Sequence, residues 1–237
     1  MQKLLIIGCG DVARRALPAL MARFEVAALS RHPEGLPKGV KAIAADLDSL
    51  ETTDWRGFPA DCVLHSAPPG EGGVIDQRTR NLLAAYADGG KLPRRFLYIS
   101  TSGVYGDCGG DWVDESRPVN PQSERASRRV DAENQLLAWG KASGVNVSVL
   151  RVPGIYAADR LPVERLRRGT AALRVEDDVY TNHIHADDLA AICVAALECA
   201  VAGGIYNASD DSELKMADYF DLVAGRCLLY TSDAADE

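Results

Sequence analysis

Short runs of consecutive apolar residues alternate along the chain with longer stretches in which apolar positions recur every three or four residues. The runs at 3–7, 26–29, 40–44, 62–66, 96–100, 145–151 and 205–207 read as strands, and the periodic stretches near 12–23, 73–87, 123–143, 186–201 and 216–224 as helices. Strands that are apolar at every position are buried on both faces, which a parallel sheet covered by helices provides. The pattern predicts an α/β protein, a doubly wound parallel sheet of about seven strands with helices on both faces. Residues 1–226 read as one domain. The segment 157–181, rich in Arg, Asp and Gly, reads as a small lid.

Composition narrows the function. The chain has 237 residues, 47% of them apolar, enough for one large core. A net charge of -8 argues against a nucleic-acid partner. No apolar run is long enough to span a bilayer, and the N-terminus lacks the features of a secretion signal, so no membrane partner and a cytoplasmic location are expected. The six cysteines form no CxxC pair and no zinc-like cluster, and read as reduced thiols. The tail CLLYTSDAADE resembles an in-frame translation of the transposase adapter used in sequencing libraries. Residues 227–237 are therefore expected to be non-native, and a small C-terminal substrate region to be truncated.

The chemistry begins at LLIIGCGDVARRAL. Gly8, Gly10 and Ala13 stand in G-x-G-x-x-A spacing between the first strand and the first helix. The first glycine suits a tight turn, the second lets the backbone approach a pyrophosphate, and the small third residue lets helix and strand pack closely. The helix start, with Asp11 and Val12, offers free N–H groups and a positive dipole end to phosphate. The second strand ends in Ser30 and Arg31, where NAD sites usually place an acid. A guanidinium suits a 2'-phosphate, so NADP is expected over NAD.

Further motifs carry a family resemblance. The chain resembles the extended and atypical short-chain dehydrogenase/reductase superfamily, of the NAD(P)-dependent epimerase/dehydratase type, from residue 1 to about 224. AADLDS is similar to its adenine-contacting loop, with Asp46 and Leu47. VLHSAPP is similar to the cofactor-lining segment after the fourth strand, with His65, Ser66 and Ala67. FLYISTSGVYGD resembles the fifth strand and active-site loop, with Ser100, Thr101 and Tyr105. LRVPGIYA resembles the segment that passes near the nicotinamide, with Pro153 and Gly154, and NHIHADDLA the late His-x-x-Asp motif. The resemblance implies a Rossmann-like fold, a nicotinamide dinucleotide and a small-molecule substrate. It also implies pairing of two copies through the helix near 123–143, so a homodimer is a candidate.

One family feature is replaced. Relatives carry Tyr-x-x-x-Lys on the helix after the fifth strand, the tyrosine passing a proton to or from the substrate. Laying PQSERASRRVDAE on that helix puts Arg125 at the tyrosine position and Arg129 at the lysine position. Arginine stays charged and cannot shuttle a proton, but it binds anions and developing oxyanions. Thr101, Arg125, Arg129 and Tyr105 are the candidate catalytic residues, and an anionic substrate is expected. Arg160, Arg165, Arg167 and Arg168 make the lid friendly to anions too. The plain alternative is a solvated arginine face with Arg129 and Glu133 as an i,i+4 pair. Two functions remain open: an NADP-dependent oxidoreductase or nucleotide-sugar epimerase/dehydratase-like enzyme with an atypical site, or a non-catalytic NADP-binding sensor or scaffold.

Overall fold

The computed structural model describes residues 1–49, 58–88, 91–168 and 175–227. Part of the expected lid (169–174) and all but Cys227 of the expected non-native tail lie outside the described residues.

Seven strands form one parallel sheet: β1 (Gln2–Ile7), β2 (Phe24–Ser30), β3 (Lys41–Ala44), β4 (Cys62–His65), β5 (Arg95–Thr101), β6 (Asn146–Val152) and β9 (Ile205–Asn207). Their spatial order is β3-β2-β1-β4-β5-β6-β9. The helices are α1 (Asp11–Met21), α2 (Gln77–Ala87), α3 (Glu124–Ser143), α4 (Val163–Arg167), α5 (Ala186–Cys199) and α6 (Met216–Arg226). This is the Rossmann-like, doubly wound architecture that the alternating pattern implies.

Strand alternation divides the core in two. Leu4, Ile6, Val26, Ala28, Leu64, Leu97 and Leu150 face α1 and α5, packing on Leu17, Leu20, Leu189 and Cys193. Leu5, Ile7, Ala27, Leu29, Val63, Phe96, Tyr98 and Val149 face α2 and α3, packing on Leu82, Tyr86, Ala132 and Leu136. Burial at both alternating sets explains why the strands read as unbroken apolar runs.

Three features differ from the sequence reading. The second helix starts at Gln77 rather than near 73, because Asp76 caps it. One carboxylate oxygen of Asp76 accepts from the Arg78 N–H (3.2 Å) and the other from the Thr79 hydroxyl (2.7 Å). A second sheet of two parallel strands, β7 (Gly154–Tyr156) and β8 (His183–His185), stands apart from the first. The helix α4 is a single short turn. Among the described residues, no helix is long and apolar enough to cross a membrane. No group of three or more His, Cys, Asp or Glu there could hold a metal ion.

Candidate functional site

All seven main strands run the same way, so their C-terminal ends, with Gly8, Arg31, Ser66, Thr101 and Pro153 just at or beyond them, meet one edge of the sheet. Open α/β sheets place ligands on that edge.

The glycine loop is shaped by contact as well as torsion. Gly8 has φ +84°, donates to the Leu29 carbonyl at 3.0 Å, and lies so close to the next crossover that a Cβ would sit 2.7 Å from the Ala67 backbone. The N–H groups of Ser66 and Ala67 both donate to the Ile7 carbonyl at 2.9 Å, and the Ser66 hydroxyl donates to the Gly8 carbonyl. Ser66 and Ala67 therefore brace the loop from the neighbouring strand. Gly10, the N-cap of α1, has nothing within 4 Å of where a Cβ would stand. Val12 and Ala13 are buried and seat the helix on the core. The helix N-terminus thus stands beside open space that a side chain would fill, and the loop fits a dinucleotide pyrophosphate.

Beyond β2, the Ser30 hydroxyl oxygen accepts from the His32 N–H at 3.2 Å. Arg31 is exposed and makes no hydrogen bond or ion pair among the described residues. The Asp46 carboxylate closes its own turn by accepting from the Asp48 N–H (3.0 Å). Leu47 is buried, its carbonyl accepting from Asn81 at 2.8 Å. Arg78 clamps this loop with two bonds to Asp48 (2.7 and 2.6 Å) and a third to the Pro68 carbonyl (3.1 Å). The guanidinium holds the Asp48 carboxyl below its ordinary range. The sequence reading missed Arg78, whose carboxylate partner lies thirty positions earlier, where no local spacing points to it.

The β5–α3 region is dominated by buried charge. The Ser100 hydroxyl donates to the Glu133 carboxylate, which also takes Arg151 at 2.7 and 3.2 Å. The side chains of Arg151 and Glu133 are 5% and 3% exposed. Arg151 lies 4.8 Å over the Tyr105 ring, and the Tyr105 hydroxyl donates to Asn207 at 2.8 Å. Tyr105 is thereby held on both its face and its hydroxyl. Thr101 caps the turn Ser102–Tyr105, its hydroxyl oxygen accepting from the Gly103 N–H at 3.2 Å.

Arg129 and Glu133 do not pair. Arg129 is buried and donates to the Tyr98 hydroxyl (2.9 Å) and the Ile99 carbonyl (2.8 Å). Burial pushes the Tyr98 phenol up to about 12, against the pull of Arg129. Arg128 is also buried and donates to the Gly73 carbonyl at 2.5 Å. Arg125, one turn before Arg129, is exposed and makes no hydrogen bond or ion pair among the described residues. Gly154 opens β7, close enough to His183 that a Cβ would lie 3.0 Å from its ring, and Pro153 beside it is half-buried. The lid arginines do not converge. Arg165 stacks on Phe220 at 4.8 Å, Arg167 pairs with Glu164 on its own helix (2.8 Å), and Arg160 turns to Asp11 (3.0 Å).

His65 is fully buried, edge-on to Phe96 and Tyr98, and neither ring nitrogen has a partner among the described residues. Burial, aided by Arg129 and Arg78, pushes its pKa from 6.5 down to about 3. The folded chain therefore binds this proton less readily than the unfolded one. The stability that neutral His65 contributes is complete above about pH 6.5 and falls as pH drops toward 3, by about 1.4 kcal/mol per pH unit. Urea denaturation of His65→Leu across about pH 6 to 4 is expected to show a flatter stability curve than wild type. An unchanged slope would place the acid sensitivity elsewhere.

Sheet order, glycine loop and strand-end cluster define a Rossmann-like α/β protein. The chain belongs to the NAD dependent epimerase/dehydratase family, whose profile matches residues 5–209. It is similar to a trifunctional UDP-glucose 4,6-dehydratase/UDP-4-keto-6-deoxy-D-glucose 3,5-epimerase/UDP-4-keto-L-rhamnose-reductase of Arabidopsis thaliana, with 25% identity over 167 residues, 65% of this chain and 24% of that protein. The chain spans no more than about a quarter of the curated relatives it matches. Among solved structures, a conserved protein of unknown function from Silicibacter pomeroyi shares 28% identity and a TM-score of 0.80, covering 97% of this chain and 80% of that one. The Thermus thermophilus UDP-glucose 4-epimerase, solved with NAD, has 23% identity and a TM-score of 0.78, covering 94% and 83%, a likeness of fold.

Proposed function

We propose that the chain is a nicotinamide-dinucleotide oxidoreductase or epimerase/dehydratase-like enzyme that prefers NADP and acts on an anionic small molecule. The observation that carries this reading is the open space at Gly10, at the N-terminus of α1, beside a Gly8 turn packed on Ala67. Arg31, exposed at the end of β2 and without a hydrogen bond among the described residues, supports NADP, since its guanidinium, near enough to Asp48 to lower that carboxyl's pKa, can form charge-assisted bonds with a 2'-phosphate. The bound cofactor supplies hydride transfer. Ser66 and Ala67 hold the loop that would receive the diphosphate. Thr101 presents a hydroxyl at the end of β5, and Arg125 offers a free guanidinium to an anionic group. Arg129 fixes α3 to β5 with one guanidinium nitrogen.

A titration of the purified chain by NADPH and NADH fluorescence tests the cofactor. Wild type is expected to bind NADPH more tightly. Arg31→Ala is expected to weaken NADPH by about 10–100-fold, the value of one or two charge-assisted bonds, and NADH by little. Equal losses for both would reject the NADP assignment. A second reading, a non-catalytic NADP-binding sensor or scaffold, is favoured by one observation: Tyr105 is tied down by Asn207 and Arg151 and is not free to move a proton. Cofactor turnover with anionic carbonyl substrates decides between the two.

A further inference from the structure

The first turn of α1 carries an ionic cluster that the reading above does not use. Arg15 donates to three carboxylates: Asp11 (3.0 and 3.1 Å), Asp159 (3.0 Å) and Asp187 (2.9 Å). Asp11 accepts a second arginine, Arg160, at 3.0 Å. The cluster joins α1, the segment after β7 and the start of α5, where the His185 ring caps the helix by accepting from the Asp187 N–H at 3.2 Å.

The two arginines are not equivalent. Arg15 engages all its guanidinium nitrogens and is held from three sides. Arg160 makes one side-chain contact, is 36% exposed, and sits on a turn closed by its own N–H to the Ala157 carbonyl (2.9 Å). Both Asp11 oxygens stay engaged by Arg15 if Arg160 leaves, while the three carboxylates and two arginines of the cluster carry one net negative charge that an incoming diphosphate meets. Asp11 also directly follows Gly10, in the first turn of α1, beside the open space at Gly10. A carboxylate there repels an incoming diphosphate. An arginine that reaches this carboxylate also reaches an anion on the same helix end, where its planar fork can bind two phosphate oxygens at once.

We propose that Arg160 is a diphosphate ligand held in reserve: it rests on Asp11 in the free protein and turns onto the cofactor diphosphate when the dinucleotide binds. This rests on the dinucleotide reading of the Gly8–Ala13 loop. Asp11 then acts as a competitor that sets cofactor affinity, and the two residues work in opposite directions.

The test is a fluorescence titration with NADPH or NADH, whichever wild type binds more tightly, on wild type, Arg160→Ala and Asp11→Asn. Arg160→Ala is expected to weaken binding about tenfold or more, with its thermal midpoint unchanged, because the side chain is partly exposed. Asp11→Asn is expected to tighten binding several-fold, because it releases Arg160 and removes the repulsion. A merely structural strut between the two predicts losses in both variants. Weaker or unchanged binding by Asp11→Asn, or unchanged binding by Arg160→Ala, overturns the inference while leaving the dinucleotide reading intact. A wild-type chain that binds neither cofactor removes both.

Discussion

Glu133→Ala is expected to lower the thermal midpoint by on the order of 10 °C. The substitution leaves the Arg151 guanidinium, 5% exposed, without its carboxylate, and frees the Ser100 hydroxyl as well. Breaking a buried pair from one side costs about 3–5 kcal/mol. In a domain of this size each kcal/mol is worth roughly 2–4 °C. Differential scanning calorimetry measures the effect, and a loss below about 2 °C would mean that water reaches the pair. The double variant Glu133→Leu/Arg151→Met separates pairing from packing. Removing both charges takes away the desolvation penalty together with the attraction, so the double variant is expected to be more stable than Glu133→Ala alone. If the double variant is the less stable, the stacking of Arg151 on Tyr105 matters more than the charge.

Gly8→Ala is the second large effect, with loss of cofactor binding its main signature. The new methyl would lie 2.7 Å from both Cα and N of Ala67, on a backbone already at φ +84°. Ala67 cannot retreat without stretching its bond to the Ile7 carbonyl. Strain of this kind costs about 1–3 kcal/mol even before the clash is relieved. Relieving it moves the loop that would receive the diphosphate, and affinity for NADPH is expected to fall at least about 100-fold. Gly10→Ala is the control. Its φ of -79° suits any residue and its Cβ meets open space, so the fold should keep its stability to within about 0.5 kcal/mol. Binding should still weaken, because the methyl occupies the room left for ligand. If Gly10→Ala binds cofactor as wild type does, the diphosphate does not lie there.

Five of the seven main strands, β1, β2, β4, β5 and β6, were legible because they are buried on both faces, so their apolar runs had little polar alternation to blur them, whereas β3, with only Ile43 buried, and the half-buried β9 are short segments at the two sheet edges. The strands β7 and β8 were not, because GIY and HIH are three residues long and carry no apolar run. On α3 the spacing of charges misled. Arg129 and Glu133 stand four apart, as a solvated pair would, yet both are buried and each has other partners, Arg129 on β5 and Glu133 on β5 and β6. Helical spacing states which residues share a face but not what lies opposite that face. Arg151 is eighteen positions beyond Glu133 and meets it only when β6 takes its place beside β5. The glycine loop was readable for the opposite reason, since strand, turn and helix start are contiguous in the chain.

The contact between Tyr105 and Asn207 sets an order of events. Asn207 closes β9, the edge strand beside β6, and its side chain also donates to the Val113 carbonyl (3.2 Å), while its N–H donates to Glu115 (2.7 Å). The loop after β5 is therefore fastened by a residue synthesised about a hundred positions later. During translation the glycine loop can form as soon as the first strands and α1 pair, whereas the β5–α3 loop waits for the last strand of the sheet. A nascent chain short of β9 has its glycine loop but not the finished β5–α3 loop.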